Sequence, residues 1–229
     1  MTTTALVSGG KDSLYAAYLA ESQGRPVDEL LTIVPSDPDA WMFHTPNLDW
    51  VGLQARAWGK PHRTVPVDGT GESAELAALK KALRGKSGWI VAGAIASSFQ
   101  WARLLRVAEE VGRPVYAPLW RVDERRVVRE EIDAGLDARL VRLAAEPLPD
   151  EWLGRRLDGA LLAELEHRSR TQRRLSVAGE GGEFETLVVD APFFRARIAV
   201  DRHRVERRGS SVQLVVEAAH LEPHRVEHP

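Results

Sequence analysis

The sequence of 229 residues contains no cysteine. Without thiols the chain cannot form disulfide bonds, thiolate metal sites or a nucleophilic cysteine. Long hydrophobic runs are absent too, and no apolar stretch is long enough to cross a bilayer. Met1 leads almost directly into the first predicted strand, with no pattern typical of a secretory signal. We therefore expect a cytoplasmic protein with no membrane partner.

Charge of one sign is not in excess either, because the formal net charge is only −2. This balance excludes a global basic field, so we expect no direct nucleic-acid partner. The fractions of 44% hydrophobic and 28% charged residues are ordinary for a globular protein. The length suits one large domain, or a main domain with a smaller partner.

Lysine is scarce, and one of its few positions, Lys11, lies in the most informative stretch of the chain. A buried strand predicted at Thr3 to Ser8 runs into Gly9 and Gly10, and a helix is predicted from Lys11 to Gln23. A turn at a helix N-terminus offers backbone amides and the positive end of the helix dipole, to which Lys11 adds a compact cation. The stretch therefore predicts a phosphate site. The alternative is an ordinary βα connection whose glycines only tighten the corner.

Two common phosphate loops do not fit these residues. A Walker loop needs a glycine where this chain has Ala5, and Ser or Thr where it has Asp12. The dinucleotide-binding pattern fails because Gly9 and Gly10 are adjacent. The six residues Ser-Gly-Gly-Lys-Asp-Ser instead resemble the pyrophosphate loop of the ATP pyrophosphatases, the PP-loop superfamily. This resemblance implies binding of ATP and cleavage between its α and β phosphates.

The first half alternates strands with helices, which predicts an α/β fold with a doubly wound parallel sheet of about five strands. Ligands of such sheets bind beyond the carboxyl ends of the strands, near the switch point. The strands are predicted at Thr3 to Ser8, Leu30 to Pro35, Arg63 to Val67, Trp89 to Ile95 and Val115 to Leu119. The helices are predicted at Lys11 to Gln23, Leu48 to Trp58, Ser73 to Leu83 and Ser98 to Val111.

Two further loops are expected to face the same crevice, because each follows a predicted strand. The first contains His44, which we predict to contact the nucleotide; packing or exposure in a loop is the alternative. The second begins with Gly93 and Ala94, small residues that let a ligand approach the backbone. One of the two serines that follow is expected to cap the next helix. Ser97 and Gln100 are also candidates for substrate contact.

From about Val122 the pattern changes, and we place a domain boundary there. The boundary divides the chain into residues 1–122 and residues 123–229. In the second part the spacing of apolar residues predicts a helix at Arg125 to Gly135, a strand at Ala138 to Ala145 and an amphipathic helix at Leu157 to Arg173.

The second chemically dense stretch runs from Gly179 to Thr186 and carries Glu180, Glu183 and Glu185 among its glycines. Three carboxylates in so short a span cannot all face a core, because buried unpaired carboxylates are costly. An acidic surface loop before a strand is one reading, but such a loop has little need for so many glycines beside an aromatic residue. The carboxylates could bind Mg²⁺, receive an ammonium ion or accept its proton.

Together the two stretches resemble the diphthine–ammonia ligases, the branch of the ATP pyrophosphatases that completes diphthamide on translation elongation factor 2. The resemblance runs nearly end to end, and its most diagnostic segment is the acidic one, which other pyrophosphatases lack. Phe184, where tyrosine is common, is a mild departure. The matching segments are Ser8 to Ser13, Met42 to Asn47, Gln54 to Ala57, Gly93 to Ile95, Pro118 to Trp120, Trp152 to Arg155 and Gly179 to Thr186.

The resemblance implies that residues 1–122 form a HUP-like nucleotide-binding domain, of the adenine nucleotide alpha hydrolase type, and residues 123–229 a smaller α+β substrate domain. It also implies a two-step reaction. The diphthine carboxylate attacks the α-phosphorus of ATP to give an acyl-adenylate and pyrophosphate, and ammonia then displaces AMP. ATP and Mg²⁺ are the implied cofactors. The implied partners are elongation factor 2 bearing diphthine, and ammonia or ammonium; a homodimer is left open.

The same resemblance implies roles for individual residues. Charge builds on the departing pyrophosphate, so the loop amides and Lys11 are placed to stabilise it, while Asp12 is assigned to Mg²⁺ or to bracing of the loop. Glu183 and Glu185 are candidates for holding ammonium and removing its proton. The predicted sets are Lys11, Asp12, Glu183 and Glu185 for catalysis; Ser8, Gly9, Gly10, Lys11, Asp12, Ser13, His44, Gly93 and Ala94 for the nucleotide; and Ser97, Gln100, Trp152, Gly179, Glu180, Gly181, Gly182, Glu183, Phe184, Glu185 and Thr186 for the substrate.

Two alternatives stay open. Amidation or adenylation of a different carboxylate would use the same residues. A non-catalytic adenine-nucleotide-binding module of related fold would not predict the acidic stretch, and release of pyrophosphate distinguishes it from an enzyme. The tRNA-thiolating pyrophosphatases generally rely on cysteine, which this chain lacks. The amide-forming chemistry also requires Glu183 and Glu185 to share a cleft with Gly9 and Gly10.

Overall fold

The computed structural model describes residues 1–35, 47–144, 148–172 and 175–224. Contacts between residues group the chain into two compact units. The first unit is Met1–Val51 together with Lys60–Val122, and the second is Gly52–Gly59 together with the chain from Asp123 onward. A short segment of the first half therefore belongs to the second unit.

The first unit contains a five-stranded parallel sheet with the strand order β3-β2-β1-β4-β5. This order puts the switch point between β1 and β4, which pair at Thr4 with Ile90 and at Ala5 with Val91. The predicted α/β fold with a parallel sheet is confirmed. Its strands are β1 (Thr4–Leu6), β2 (Glu29–Val34), β3 (His62–Pro66), β4 (Ile90–Val91) and β5 (Val115–Tyr116).

Helices connect these strands as the apolar spacing predicts. The helix bounds are α1 (Lys11–Ser22), α2 (Val51–Trp58), α3 (Glu72–Leu83) and α4 (Ser98–Val111), and a 3-10 turn at Leu48–Trp50 precedes α2. One apolar core joins β2 and β4 to α3 and α4, and it includes Leu31, Ile33, Leu79, Leu83, Ile90 and Val107. Among the described residues, no helix is both long and apolar enough to cross a membrane.

A buried polar network ties together the amino ends of β1 and β2. The side chain of Arg113 is almost fully buried and donates to three backbone carbonyls and to Thr4 Oγ1, the last at 3.1 Å. Thr4 Oγ1 in turn donates to Glu29 at 2.8 Å. Arg63 and Lys86 also donate to the Glu29 carboxylate, so this buried charge is fully compensated.

The second unit contains a four-stranded antiparallel sheet with the strand order β7-β6-β9-β8. Its elements are α5 (Glu124–Asp133), β6 (Asp137–Leu143), α6 (Gly159–Thr171), β7 (Phe184–Asp190), β8 (Ala196–Arg208) and β9 (Ser211–Pro223). Side chains define where both helices begin, because Asp123 accepts from the Arg126 amide and Asp158 from the Leu161 amide. The mixture of helices and antiparallel strands is the predicted α+β arrangement.

Helix α2 is anchored to this second unit by its buried face. Gln54 is fully buried, and its side-chain amide donates to the Val188 carbonyl of β7 at 2.7 Å. Trp58 packs on Phe193 with ring centroids 4.5 Å apart. The Ala57 carbonyl accepts the backbone amide of Arg195 at 2.7 Å. These contacts explain why the segment groups with residues far from it in sequence.

The hairpin of β8 and β9 is absent from the sequence predictions. Strand β9 carries alternating apolar residues at Val212, Leu214 and Val216, but β8 is mostly charged from Asp201 to Arg208, and there the apolar strand signal is missing. Cross-strand ion pairs replace it: Arg197 with Glu222, and Arg202 and Arg204 with Glu217. A two-residue turn at Gly209 and Ser210, with Gly209 at φ 59°, joins the strands.

Candidate functional site

The Ser8 to Ser13 loop lies at the carboxyl end of β1, where a parallel sheet presents its ligand site. Gly9 has φ 84°, a conformation that a residue with a Cβ rarely adopts. Gly10 is the N-cap of α1 and has no side chain to cap the helix. The loop is closed by serines instead: the Ser8 amide donates to Ser13 Oγ at 3.2 Å, and Ser13 Oγ donates to the Gly10 carbonyl at 3.1 Å.

Lys11 is buried within the first turn of α1, with its side chain only 2% exposed. Its ammonium donates to Asp12 Oδ1 at 2.5 Å, and the Asp12 side chain is 25% exposed. A buried ammonium needs a counter-charge, and Asp12 supplies one. A polyphosphate reaching this loop would meet a cation already held in place by its neighbour.

Asp12 is also the side chain that could hold Mg²⁺. Within the described residues, no group of three or more His, Asp or Glu side chains could hold a metal ion. A dedicated metal cage is therefore missing from this part of the chain. Mg²⁺ is commonly held by one or two carboxylates together with the phosphates of a nucleotide, and the partly exposed Asp12 carboxylate in this loop fits that pattern.

Gly93, predicted from a different loop, lies against the same turn of α1. A Cβ at Gly93 would lie 2.6 Å from the carbonyl carbon of Asp12 and 2.7 Å from the Ser13 amide nitrogen. Only glycine lets the loop after β4 approach the phosphate loop this closely. The structure therefore brings Gly93 together with Asp12 and Ser13, as expected for the two sides of a switch point; Ala94 follows, half-buried.

The remaining predicted residues of this unit fall in or near the first turn of α4. Ser97 is the N-cap, and its hydroxyl accepts the Gln100 amide at 3.4 Å, so the expected capping serine is Ser97. Gln100 is half-buried one turn into the helix. His44 lies outside the described residues.

The acidic stretch forms an irregular loop that enters β7. Gly179 and Gly182 have φ 81° and 80°, which favours glycine at both positions. A Cβ at Gly179 would also lie 2.8 Å from the Phe184 carbonyl oxygen. The backbone freedom expected of this stretch is therefore used to fold the loop tightly.

Glu183 is directed into its own loop. It is only 6% exposed, and its two carboxylate oxygens accept the backbone amides of Ser176 and Gly181, each at 3.0 Å. A Cβ at Gly181 would lie 2.5 Å from Glu183 Oε1, so the glycine makes room for the carboxylate. Ser176, which sequence reasoning missed, lies three residues before the acidic stretch and gave no periodic signal.

Glu185 lies on β7 opposite Arg142 of β6, and the two side chains form an ion pair at 3.0 Å. The pairing register shifts between Leu140 and Arg142, so that Arg142 pairs with Glu185 while Leu140 pairs with Thr186. Arg142 was also missed, because the bulge that brings it to Glu185 leaves no trace in local sequence. Thr186 follows on β7, half-buried, and Glu180 is half-buried in the loop.

Two predicted substrate residues are core residues in this structure. Phe184 is 3% exposed and packs against the Gly179 backbone. Trp152 is 1% exposed, with the guanidinium of Arg168 5.0 Å from its ring centre. This burial leaves little of either ring available to a ligand.

Comparison with known protein families supports the same reading of both units. Residues 1–114 match the model described as the diphthamide synthase N-terminal domain, and residues 123–220 match the diphthamide synthase C-terminal domain. A solved structure titled as a predicted subunit of tRNA methyltransferase from Methanocaldococcus jannaschii aligns with a TM-score of 0.45 and 14% identity, covering 83% of this chain and 97% of that chain. That similarity is too weak to bear on function.

Individual relatives cover nearly the whole chain. The diphthine–ammonia ligase of Danio rerio is 32% identical over 227 residues, covering 88% of this chain and 87% of that protein. The diphthine–ammonia ligase of Homo sapiens is 30% identical over 234 residues, covering 90% of this chain and 85% of that protein. With a phosphate loop on a parallel sheet, an acidic loop on an antiparallel one and matches across both units, the chain belongs to the diphthine–ammonia ligase family of enzymes.

Proposed function

We propose that this protein amidates the diphthine carboxylate of elongation factor 2 with ammonia, at the expense of ATP, through an acyl-adenylate. The observation that carries the proposal is the presence of both loops in one chain of this family. The phosphate loop serves the first step, and the acidic loop, Gly179 to Thr186, serves the second. The products are diphthamide, AMP and pyrophosphate.

In the first step a carboxylate oxygen of the acceptor bonds to the α-phosphorus, and the bond to the β-phosphate bridging oxygen breaks. Pyrophosphate leaves with the electron pair, so negative charge grows on it. Lys11 is buried, where a positive charge acts more strongly than in water, and the helix end adds its dipole. Ser8 and Ser13 fix the loop that presents these groups.

Mg²⁺, when bound, supplies further positive charge to the phosphates, and Asp12 is the residue that would hold it. The ion pair between Asp12 and Lys11 orients both side chains before the nucleotide arrives. Gly93 and Ala94 let the loop after β4 approach the same turn. We also assign His44 to the nucleotide, and Ser97 and Gln100 to the acceptor, as parts of this proposal.

In the second step ammonia bonds to the acyl carbon, and AMP leaves with the electron pair of the broken carbon–oxygen bond. Ammonium is the main form near neutral pH and must first lose a proton to a base. We assign the holding of ammonium and the removal of its proton to the acidic loop, with Glu183 and Glu185 as the candidates. Both carboxylates have fixed positions, Glu183 on two amides and Glu185 on Arg142.

The direct test uses purified protein, ATP, Mg²⁺, ammonium chloride and elongation factor 2 that carries diphthine. We expect AMP and pyrophosphate in step with conversion of the carboxylate to the amide, detected by mass spectrometry of the modified peptide. AMP formation without a change in elongation factor 2 would indicate a different acceptor carboxylate. Nucleotide binding without pyrophosphate release would contradict enzymatic activity altogether.

The location and assembly of the protein are parts of the same proposal. We expect it in the cytoplasm with elongation factor 2, which fractionation of cells would test. A homodimer and a monomer are both compatible with this chemistry, and light scattering of the purified protein distinguishes them.

A further inference from the structure

Ser176 organises the start of the acidic loop through its hydroxyl group. Its Oγ accepts the backbone amides of Ala178 at 3.2 Å and Glu180 at 3.1 Å, and donates to Glu124 Oε2 at 2.7 Å. A serine hydroxyl offers one donor and two acceptor sites, and all three are used here. One side chain therefore sets the path of the backbone on either side of Gly179.

The backbone of Ser176 is fixed at the same time. Its amide donates to Glu183 Oε1, while the Gly181 amide donates to Glu183 Oε2, each at 3.0 Å. The Glu183 carbonyl accepts the Ala144 amide at 2.8 Å, which attaches this end of the loop beyond β6. Ser176 and Glu183 thus close the loop on itself from its two ends.

Glu124 connects this closed loop to a regular element. It is the first residue of α5, whose start is fixed by the Asp123 cap. Its carboxylate accepts the Ser176 hydroxyl proton, a charge-assisted hydrogen bond of the stronger kind. Helix α5 therefore holds Ser176 from outside the loop.

We propose that Ser176 is a positioning residue for the acidic loop, and that Glu124 supports it from α5. The inference rests on the proposed function, in which this loop directs ammonia to the acyl-adenylate. A displaced loop leaves the adenylate to water, which bonds to the acyl carbon, releases AMP and regenerates the carboxylate. Loss of Ser176 therefore uncouples AMP formation from amide formation.

The test measures AMP formed per amide formed at several ammonium concentrations. We expect Ser176→Ala to lower the rate of amide formation by about 10- to 100-fold, the effect of a small displacement of reacting groups. AMP per amide rises above the wild-type ratio, and the KM for ATP stays within about twofold, since the phosphate loop is unchanged. Ser176→Asn restores most of the coupling, because its side-chain oxygen can accept the same amides.

A matched control removes a hydroxyl elsewhere in the same unit. Ser169 Oγ donates to the Glu166 carbonyl at 2.9 Å within α6. Ser169→Ala is expected to keep the wild-type ratio. Glu124→Ala keeps the Ser176 hydroxyl, so we expect it to raise the amount of AMP per amide less than Ser176→Ala does. If Ser176→Ala does not fold, Glu124→Ala is the variant that tests the inference.

Two results overturn the inference. One is an unchanged ratio of AMP to amide in Ser176→Ala or, where that variant does not fold, in Glu124→Ala. The other is a parallel fall of AMP and amide together with the melting temperature, which marks a purely structural role. Failure of the proposed function is seen separately, because the wild-type protein would then form no amide on diphthine before any variant is compared.

Discussion

The phosphate loop and the acidic loop are built in different ways. The phosphate loop takes its shape from regular elements, a strand that ends and a helix that begins, with glycine at the bend. The described residues that lead into the acidic loop form turns rather than a helix or a strand, and the loop is shaped by the side chains of Ser176, just before it, and Glu183, within it. Charge is arranged differently too, because Lys11 is balanced by its neighbour and Glu183 by backbone amides. The shape of the phosphate loop therefore relies on the fold, whereas the acidic loop depends on a few individual contacts.

The largest effect is expected at Lys11. Lys11→Ala removes the buried positive charge at the phosphate loop and should lower AMP formation about 10²- to 10³-fold, as loss of one group that stabilises developing charge does. Pyrophosphate release in the presence of acceptor is the measurement. Lys60→Ala serves as the control, because Lys60 pairs with Glu21 elsewhere in the same unit. A normal rate in Lys11→Ala would contradict the assignment of this loop.

A change in the acidic loop should separate the two steps. Glu183→Gln replaces an acceptor oxygen with an NH₂ group that faces a backbone donor, and it also removes a candidate base. We expect amide formation to fall about 100-fold, at the lower end for lost general-base catalysis, while ATP binding changes little. Isothermal titration calorimetry with a non-hydrolysable ATP analogue measures nucleotide binding, and the amidation assay measures amide formation. Equal amide formation by the variant would remove Glu183 from the mechanism.

Gly93→Ala tests how closely the two sides of the switch point approach. The new methyl group would lie 2.6 Å from the Asp12 backbone, which cannot move without shifting the first turn of α1. We expect the KM for ATP to rise about tenfold, equivalent to about 1.4 kcal/mol. Gly159→Ala in α6 is the matched control, since a Cβ there meets nothing within 4 Å. Equal KM values for the two variants would show that the close approach has no consequence for the nucleotide.

The smallest effect concerns stability rather than chemistry. Burial alone raises the pKa of Glu29, but hydrogen bonds from Lys86, Arg63 and Thr4 outweigh it and hold the pKa below its ordinary value. A carboxylate with a lowered pKa in the folded state stabilises the fold above its unfolded pKa, about 4.3, and this stabilisation is lost as pH falls through the folded pKa.

Glu29→Gln should therefore lower the free energy of unfolding at pH 7 by about 1 to 3 kcal/mol, the cost of weakening a buried hydrogen-bonded charge. The difference from wild type should shrink as pH falls from the unfolded pKa through the lowered folded pKa, because only below the folded pKa is the wild-type carboxylate protonated in both states. Urea unfolding across a series of pH values from 7 downward is the measurement. A difference that stays constant with pH would mean that the charge of Glu29 does not stabilise the fold.

Local patterns predict the first unit well because its elements are encoded locally. Apolar runs of β-branched residues give the parallel strands, helical spacing gives α1, α3 and α4, and Gly9 marks the bend. The glycines of the acidic loop also signal its tight backbone. The contacts that hold this loop are not visible in the same way, since Ser176 to Glu124 joins residues 52 positions apart.

The second unit is less predictable for two physical reasons. The part of β8 from Asp201 to Arg208 forms ion pairs with β9, so it lacks the apolar alternation from which strands are usually predicted. The register shift before Arg142 sets which residue of β7 lies opposite it, and local sequence does not encode such a shift. The placement of α2 with the later half of the chain is equally hidden, because it depends on Gln54 and Val188, 134 positions apart.

The anchoring of α2 has a consequence for how the protein can be made. The chain leaves the first unit at Gly52, supplies eight residues to the second and returns at Lys60. A ribosome therefore releases part of the later unit long before the rest of it exists, and Gln54 has no Val188 to bind until β7 emerges. For the same reason, expressing the chain in two pieces cut after Val122 would deprive the later piece of one of its own helices.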